Sequence, residues 1–399
     1  APAYAQRGVA SILLSDRQYG NIPDEQAEAQ AKLYIDQALR LDPEQPEALA
    51  AQGLYHLNRP GETNLAIEPL EAALAINPNL VNASNWLQSA YSEAGRLTET
   101  MAILEDLRVR DPLYRPGIAN LNNFYIFQSR LDDAKAQIEH VKPFMPNDPF
   151  LLRLEANVLY STGDYAEGLK VAEQALAIQP DNFPNIGLVG RGLDATGQFE
   201  RMVEEAPEDQ RWFALIQLGR MEEATLLVQK LAASGEDPGS MIGLLANYGR
   251  QAEAVAFIEQ RWGALDKFVE AYPVVGGGSI SSMLDLAYAY ASVGDESGFN
   301  QAMEYSRSAL DSLADLGYTN SYLEFINGVY YALNGDHEAA IERLASAVDG
   351  GYLTATKLSE GWEALTVLEG DPEYQAIQQR MIDHLNAERA ELGLDPLFS

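Results

Sequence analysis

The chain has 399 residues, with 59 Asp and Glu against 27 Lys and Arg, giving a formal net charge of −32 at pH 7. At 47% hydrophobic and 22% charged it can bury a core, so wholesale disorder is excluded. The absence of Cys excludes a disulfide framework, Cys-ligated zinc, iron–sulfur clusters and thiol catalysis, while the acidity disfavours nucleic acid and anionic membranes, both of which are bound through Lys and Arg.

Ala1-Pro2-Ala3 opens the sequence without a cationic and then apolar leader. That start reads either as the end left by a removed signal peptide or as a fragment of a longer protein, and the second is favoured. From there the chain beats time with prolines. Pro43, Pro78, Pro112, Pro146 and Pro180 stand 35, 34, 34 and 34 residues apart. Four of them end apolar helical runs (LRLDP, LAINP, LRVRDP, LAIQP), and proline stops a helix because it lacks an N–H and restricts the residue before it. The interval predicts a unit built on one length of helix pair.

Other positions keep the same phase. Gly95, Gly163 and Gly197 fall at position 15 of the unit, and Gly61, Gly219, Gly249, Gly294 and Gly335 take the equivalent place in theirs. A glycine there predicts the left-handed residue that closes the first helix. Ala66, Ala224, Ala254 and Ala340 open second helices, and Ala38, Ala73, Ala175 and Ala347 come late in them. Gly8, Gly53, Gly190 and Gly328 lie midway along first helices. Small residues at these places let antiparallel helices approach closely. Tyr91, Tyr125, Tyr290 and Tyr331 are expected to fill the space between pairs.

The rhythm then changes. An insertion, LLSDRQYGNIPDEQ, already lengthens the first unit, and the Gly197–Gly219 and Gly219–Gly249 intervals shrink to 22 and 30 residues. Thr100, Gly168, Met202 and Phe299 replace the expected Ala. YPVVGGGSISS (272–282) reads as a hinge between two blocks. After the second block, Asp371-Pro372 predicts a helix start. Tyr374, Ile377, Met381, Ile382, Leu385 and Leu392 form one apolar stripe, with Gln375, Gln379, Asp383, Asn386 and Arg389 on a polar opposite face and Gly393 as the stop. Such a helix would give the last pair a solvated lid.

These residues resemble the tetratricopeptide repeat (TPR), a 34-residue helix–turn–helix unit. The resemblance covers residues 1–197 and about 280–350. It implies an all-α, TPR-type α-solenoid: a right-handed superhelix of antiparallel helix pairs with an irregular middle and a C-terminal capping helix. The expected division is 1–197 for a regular TPR block, 198–277 for shortened pairs, 278–350 for a second TPR block and 351–399 for the cap. Two segments, AYAQRGVASILL through EALAAQGL and WEALTVLEGDPEYQAIQQRMIDHLNAERAELG, are similar to the C-terminal TPR region of bacterial multidomain regulators of winged-helix or nucleotide-cyclase type.

Chemistry is sparse along the chain. His56, His140, His337 and His384 are scattered, with no HExxH and no second His at ligand spacing. No phosphate-loop or dinucleotide fingerprint occurs; Gly276-Gly277-Gly278-Ser279 lacks the Lys that a phosphate loop needs. No GxSxG elbow occurs, and no Asp/Glu pair stands out. Trp86, Trp212, Trp262 and Trp362 fall at packing positions. The expectation is no enzyme, no cofactor and no metal. No apolar run reaches the ~20 residues that span a bilayer, so no membrane insertion is expected of this region, and its compartment (bacterial periplasm or cytoplasm) stays open.

A helical solenoid binds along the first helices of its pairs. Asn82, Asn85, Ser89, Asn123, Arg153, Asn157 and Arg191 are polar residues on those helices and are the expected peptide contacts on the concave face. In the chaperone-binding TPR subfamily, Lys, Asn and Arg form a two-carboxylate clamp. Arg153 and Asn157 imitate its first pair, but Leu188 stands where the next repeat needs Asn, so that clamp is incomplete. The negative potential favours a basic or neutral partner, although an acidic surface also suits a salt-rich habitat. The leading reading is a non-catalytic protein- or peptide-binding scaffold, the sensory or interaction region of a larger bacterial regulator. The alternatives are a stand-alone exported adaptor for envelope or secretion assembly, and a small-molecule sensor or enzyme with a pocket near 272–282.

Overall fold

A computed structural model describes residues 1–14, 23–59, 61–234, 238–274 and 276–398. The insertion expected after α1 lies largely outside these residues. Among the described residues every regular element is helical. The helices run in hairpins: α1 (Pro2–Leu13) with α2 (Asp24–Leu41), α3 (Pro46–Leu57) with α4 (Thr63–Ile76), and α5 (Val81–Glu93) with α6 (Leu97–Arg110). Next come α7 (Arg115–Phe127), α8 (Leu131–Val141), the pair α9 (Pro149–Thr162) and α10 (Tyr165–Ile178), and α11 (Phe183–Ala195) with α12 (Phe199–Glu205). They are followed by α13 (Arg211–Gln217) with α14 (Met221–Ser234), α15 (Pro238–Asn247) with α16 (Gln251–Trp262), and the single helix α17 (Leu265–Ala271). The pairs α18 (Gly277–Val293) with α19 (Glu296–Asp315) and α20 (Ser321–Leu333) with α21 (His337–Asp349) precede α22 (Pro372–Glu391). This is an all-α solenoid of TPR-type hairpins.

The repeat positions do the work their chemistry allows. All eight turn glycines take a left-handed φ, between 65° and 89°; at Gly163 a side chain would be strained there and would also strike Gly351. The eight alanines at the two second-helix positions are fully buried. A Cβ at Gly8 would lie 2.7 Å from Ile35 Cγ1, and one at Gly328 2.7 Å from Leu344 Cγ, so the small residue sets the spacing of each pair. Tyr91, Tyr125 and Tyr290 are buried, while Tyr331 is half-buried.

The chain forms two compact units, Ala1–Phe124 and Tyr125–Ser399, with the division falling inside α7. In unit 1, α3 packs on α1 and α2, and α5 packs on α3 and α4. Its side-chain bonds span about one repeat: Arg59 pairs with Glu28 at 2.5 Å, and Arg110 donates to Ser84 at 3.1 Å.

Unit 2 begins in the same style, with α11 packed on both α9 and α10. Its middle is shortened, α12, α13 and α17 having seven residues each. α17 packs on α16, where Trp262, Phe268 and Tyr272 form an aromatic cluster with centroids 4.9–5.7 Å apart. α18 nevertheless seats against α15 and α16 as the first helix of the following pair. Of the run at 272–282, expected as a hinge, residues 277–282 open α18. The Ser279 hydroxyl accepts from the Gly276 amide at 3.1 Å, and Gly277 lets the Tyr322 ring lie against the helix, where a Cβ would approach Cε1 to 2.7 Å.

The C-terminal helix differs from the expected lid. Asp371 caps it as predicted, accepting from the Glu373 amide at 2.7 Å, and Tyr374, Ile377, Met381 and Leu385 are buried. It packs on α21 and also on α10, far upstream. Glu388 accepts from the Ala166 amide at 2.6 Å, and Arg389 donates to the carbonyls of Thr196 and Asp395. The opposite face is therefore not simply solvated: Arg389 is buried, and Asn386 holds the tail by donating to the Phe398 carbonyl and accepting from the Leu397 amide. His384 sits 3.6 Å from Glu388, whose carboxylate raises the imidazole pKa. Burial works to raise the pKa of Glu388, but His384 and the Ala166 amide outweigh it and the net shift is downward. A second tie joins the start of this unit to the loop before α20, the Thr319 amide donating to the Phe127 carbonyl at 2.9 Å and Ser129 Oγ to the Thr319 carbonyl at 2.7 Å.

Candidate binding cavity

Within unit 2 the first helices of successive hairpins (α11, α13, α15, α18 and α20) turn side chains into one cavity of about 830 Å³. Another wall is the non-helical stretch after α21, whose Tyr352, Lys357, Glu360 and Trp362 face it, and Met202, Gln210, Phe268 and Tyr272 add to the lining. That stretch is held by rings and hydrogen bonds. Tyr352 stacks on Phe325 with centroids 4.3 Å apart and an interplanar angle of 13°, and Trp362 meets the same ring edge-on at 5.7 Å. Glu363 accepts from Tyr288 at 2.9 Å and from Gln251 at 3.1 Å.

Asn247 joins this wall to the floor. Its Oδ1 accepts from the Glu363 amide at 3.2 Å, and its Nδ2 donates to Asp285 Oδ1 at 2.6 Å and to the Gly243 carbonyl at 3.2 Å. Asp285 is only 7% exposed. Burial pushes its pKa up to about 7 against the opposing pull of the Asn247 hydrogen bond. Asp194, on α11, keeps part of its surface in water, yet the protein around it raises its pKa to about 6 through desolvation. Gln210 Oε1 is buried here without a hydrogen-bond donor. Tyr322 closes the site near α18, its hydroxyl 2.6 Å from Ser281 Oγ.

A second cavity of about 620 Å³ adjoins the first, and Arg191, Asp194, Tyr322, Tyr352 and Thr354 line both. These residues stand where the two spaces meet. The arrangement offers apolar and aromatic walls with a few fixed polar groups, the usual composition of a ligand site. No group of three or more His, Asp or Glu among the described residues could hold a metal ion.

The seven residues singled out from the sequence divide between the units. In unit 1, Asn82 accepts from the Tyr114 hydroxyl at 2.9 Å, Asn85 accepts from Asn120 Nδ2 at 3.0 Å, and Ser89 accepts from Gln88 at 2.8 Å. These bonds tie α5 to neighbouring side chains. Asn123 is exposed on α7. In unit 2, Arg153 lies over the Phe150 ring at 5.6 Å and Asn157 is half-buried on the same helix; neither lines the 830 Å³ cavity. Arg191 does, while also lying 5.2 Å over the Tyr160 ring.

Sequence reasoning missed Asp285, Asn247, Tyr322 and Tyr352, and it placed Trp212 and Trp362 in packing roles although both line the cavity. A signal was present: Asp285 interrupts an apolar helix between Leu284 and Leu286, where a lone carboxylate needs a reason.

No family model and no curated protein matches the chain. Among solved structures it is similar to a monomeric mutant of IFIT1 with m7Gppp-AAAA (18% identity, 87% of this chain and 71% of that one, TM-score 0.39). It is also similar to the APC/C hetero-tetramer Cut9-Hcn1 (14% identity, 98% and 86%, TM-score 0.40). A third is the human IFIT1 dimer with PPP-AAAA (16% identity, 81% and 68%, TM-score 0.32). Among the described residues no helix is long and apolar enough to cross a membrane.

Proposed function

We propose that the chain is a non-catalytic scaffold that holds a segment of another polypeptide against the first helices of its hairpins, as the interaction region of a larger bacterial regulator. The observation that carries this reading is the 830 Å³ cavity. Its Trp212, Asn247, Asp285 and Tyr322 come from four successive first helices and line it together. Arg153, Asn157 and Arg191 are the polar contacts proposed for a bound backbone in unit 2; Asn82, Asn85, Ser89 and Asn123 are proposed separately as polar contacts on the first helices of unit 1. The net charge of −32 favours a basic or neutral segment. The regulator context rests on the similarity of the opening and closing segments to such regions.

The test is site-specific photo-crosslinking in native extract, with the reactive group at Tyr322 in the cavity or at Leu226, which is 67% exposed on α14. A discrete protein adduct from position 322 and none from 226 is expected. Equal labelling from both sites, or none from 322, would remove the cavity from a scaffold role.

A further inference from the structure

We infer that the unit 2 cavity is a binding site for an organic ammonium group, with Asp285 as its counter-ion and aromatic rings as its walls. Asp285 is buried, and its Oδ1 is satisfied by Asn247. No side chain among the described residues hydrogen-bonds to Oδ2 or brings a cation to it. A buried carboxylate without an opposite charge is costly, and nothing in the packing of α18 requires one there.

The space beside Oδ2 is kept open by Gly243. A Cβ on that residue would lie 3.3 Å from Oδ2 and 3.8 Å from Trp212 Cη2, so one small group placed there would touch the carboxylate and the indole together. An ammonium group suits that point, because it pairs with the carboxylate and is attracted to a ring within about 6 Å. The wider lining agrees. Nine of its 32 residues are aromatic, in a chain that is 9% aromatic overall. Four carboxylates (Asp194, Asp209, Asp285, Glu360) face only Arg191 and Lys357. An anionic ligand would meet that excess of negative charge, and a neutral one would leave Asp285 uncompensated. At about 830 Å³ the cavity accommodates the cation with an apolar body attached.

A free amine and an amino group carried on a peptide present the same charge, so the site stands independently of the scaffold reading. The full chain is titrated by calorimetry, and by fluorescence of the cavity tryptophans, with choline, with its uncharged carbon isostere 3,3-dimethylbutanol, and with an N-acetylated lysine-containing peptide and its norleucine counterpart. At least one cation should bind ten times or more tightly than its neutral partner. Asp285→Asn should abolish that preference with the helical circular dichroism retained. Gly243→Val, which fills the space and leaves the carboxylate, should weaken the cation by tenfold or more. Choline alone binding assigns the site to free cations and counts against the scaffold; the lysine peptide binding more tightly assigns it to a basic side chain. Equal affinity for charged and neutral partners, an unchanged preference in Asp285→Asn, or no binding by either cation at millimolar concentration would overturn the assignment, and a peptide bound without regard to charge would do so while leaving the scaffold standing.

Discussion

Unit 1 and unit 2 are built from the same hairpin and are held together in different ways. In unit 1 the side-chain ties reach one repeat along, as between Thr63 and Glu93 or Tyr114 and Asn82, and among its described residues no charged side chain is buried. In unit 2 the ties reach across most of the unit: Glu388 to Ala166, Arg389 to Thr196, Ser129 to Thr319. The buried charged side chains among its described residues, Asp285, Glu388 and Arg389, all serve the cavity or the closure. Nearest-neighbour packing makes stability a sum over repeats; closure makes it a property of the whole ring of contacts. A repeat chain thus gains a cavity by giving up the independence of its repeats.

Truncation after Gly370 should break this comparison most strongly. Removing α22 uncovers the apolar surface under Tyr374, Ile377 and Met381 and deprives the Ala166 amide of its acceptor. Unit 2 should lose its cooperative transition and self-associate, while unit 1 keeps its own. Differential scanning calorimetry with light scattering checks this; an intact unit 2 transition would mean that the closure contributes little.

The next effect, on the order of 4 kcal/mol, concerns pH. Asp285 has a folded pKa of about 7, well above the ordinary 3.8, because burial disfavours its charged form. Between those values the folded state binds more protons than the unfolded one, so stability falls as pH rises from about 4 to about 7. Asp285→Asn should remove its share of that slope, Asp194 with a pKa of about 6 keeping a smaller fall below pH 6, and the variant should be more stable than the parent at pH 8 and indistinguishable near pH 4. Asn247, Tyr248 and Tyr322 are the polar groups around the carboxylate, and none carries a charge over this range. The unit 1 transition should not respond to the substitution. Chemical denaturation across pH reads both.

Ala73→Leu supplies the smaller, opposite case. Ala73 is fully buried late in α4, so three added carbons should overpack the pair and cost about 1–3 kcal/mol. The loss should appear in the unit 1 transition alone; a shift in both would show that the units do not melt independently.

The hairpins were legible because their determinants are local. A proline ends a helix, a glycine turns the chain and an alanine sets a spacing, all within one repeat, and each such position folded as its residue type allows. The closure was not legible. Arg389 and Asn386 sit at spacings that mimic a wet helix face, and Arg389 finds its main partner in a backbone carbonyl nearly two hundred residues upstream, which no periodicity signals. Gly277 was misread because its purpose is the approach of Tyr322, 45 positions later. Of the expected contacts only Arg191 lines the candidate site, together with residues of the 272–282 run near which a pocket was the alternative reading: polarity on a first helix is visible in sequence, whereas aromatic residues there look the same whether they pack a seam or line a space.

One odd helix among so many pairs would ordinarily turn every later hairpin inside out. α17 does not, because α18 takes the seat against α15 and α16 regardless. α17 therefore does not set the order of the later hairpins, although its Leu265 and Phe268 are buried. Since Phe268 and Tyr272 line the cavity from this segment, a helix outside the pairing rhythm contributes rings to the site as well as to the core.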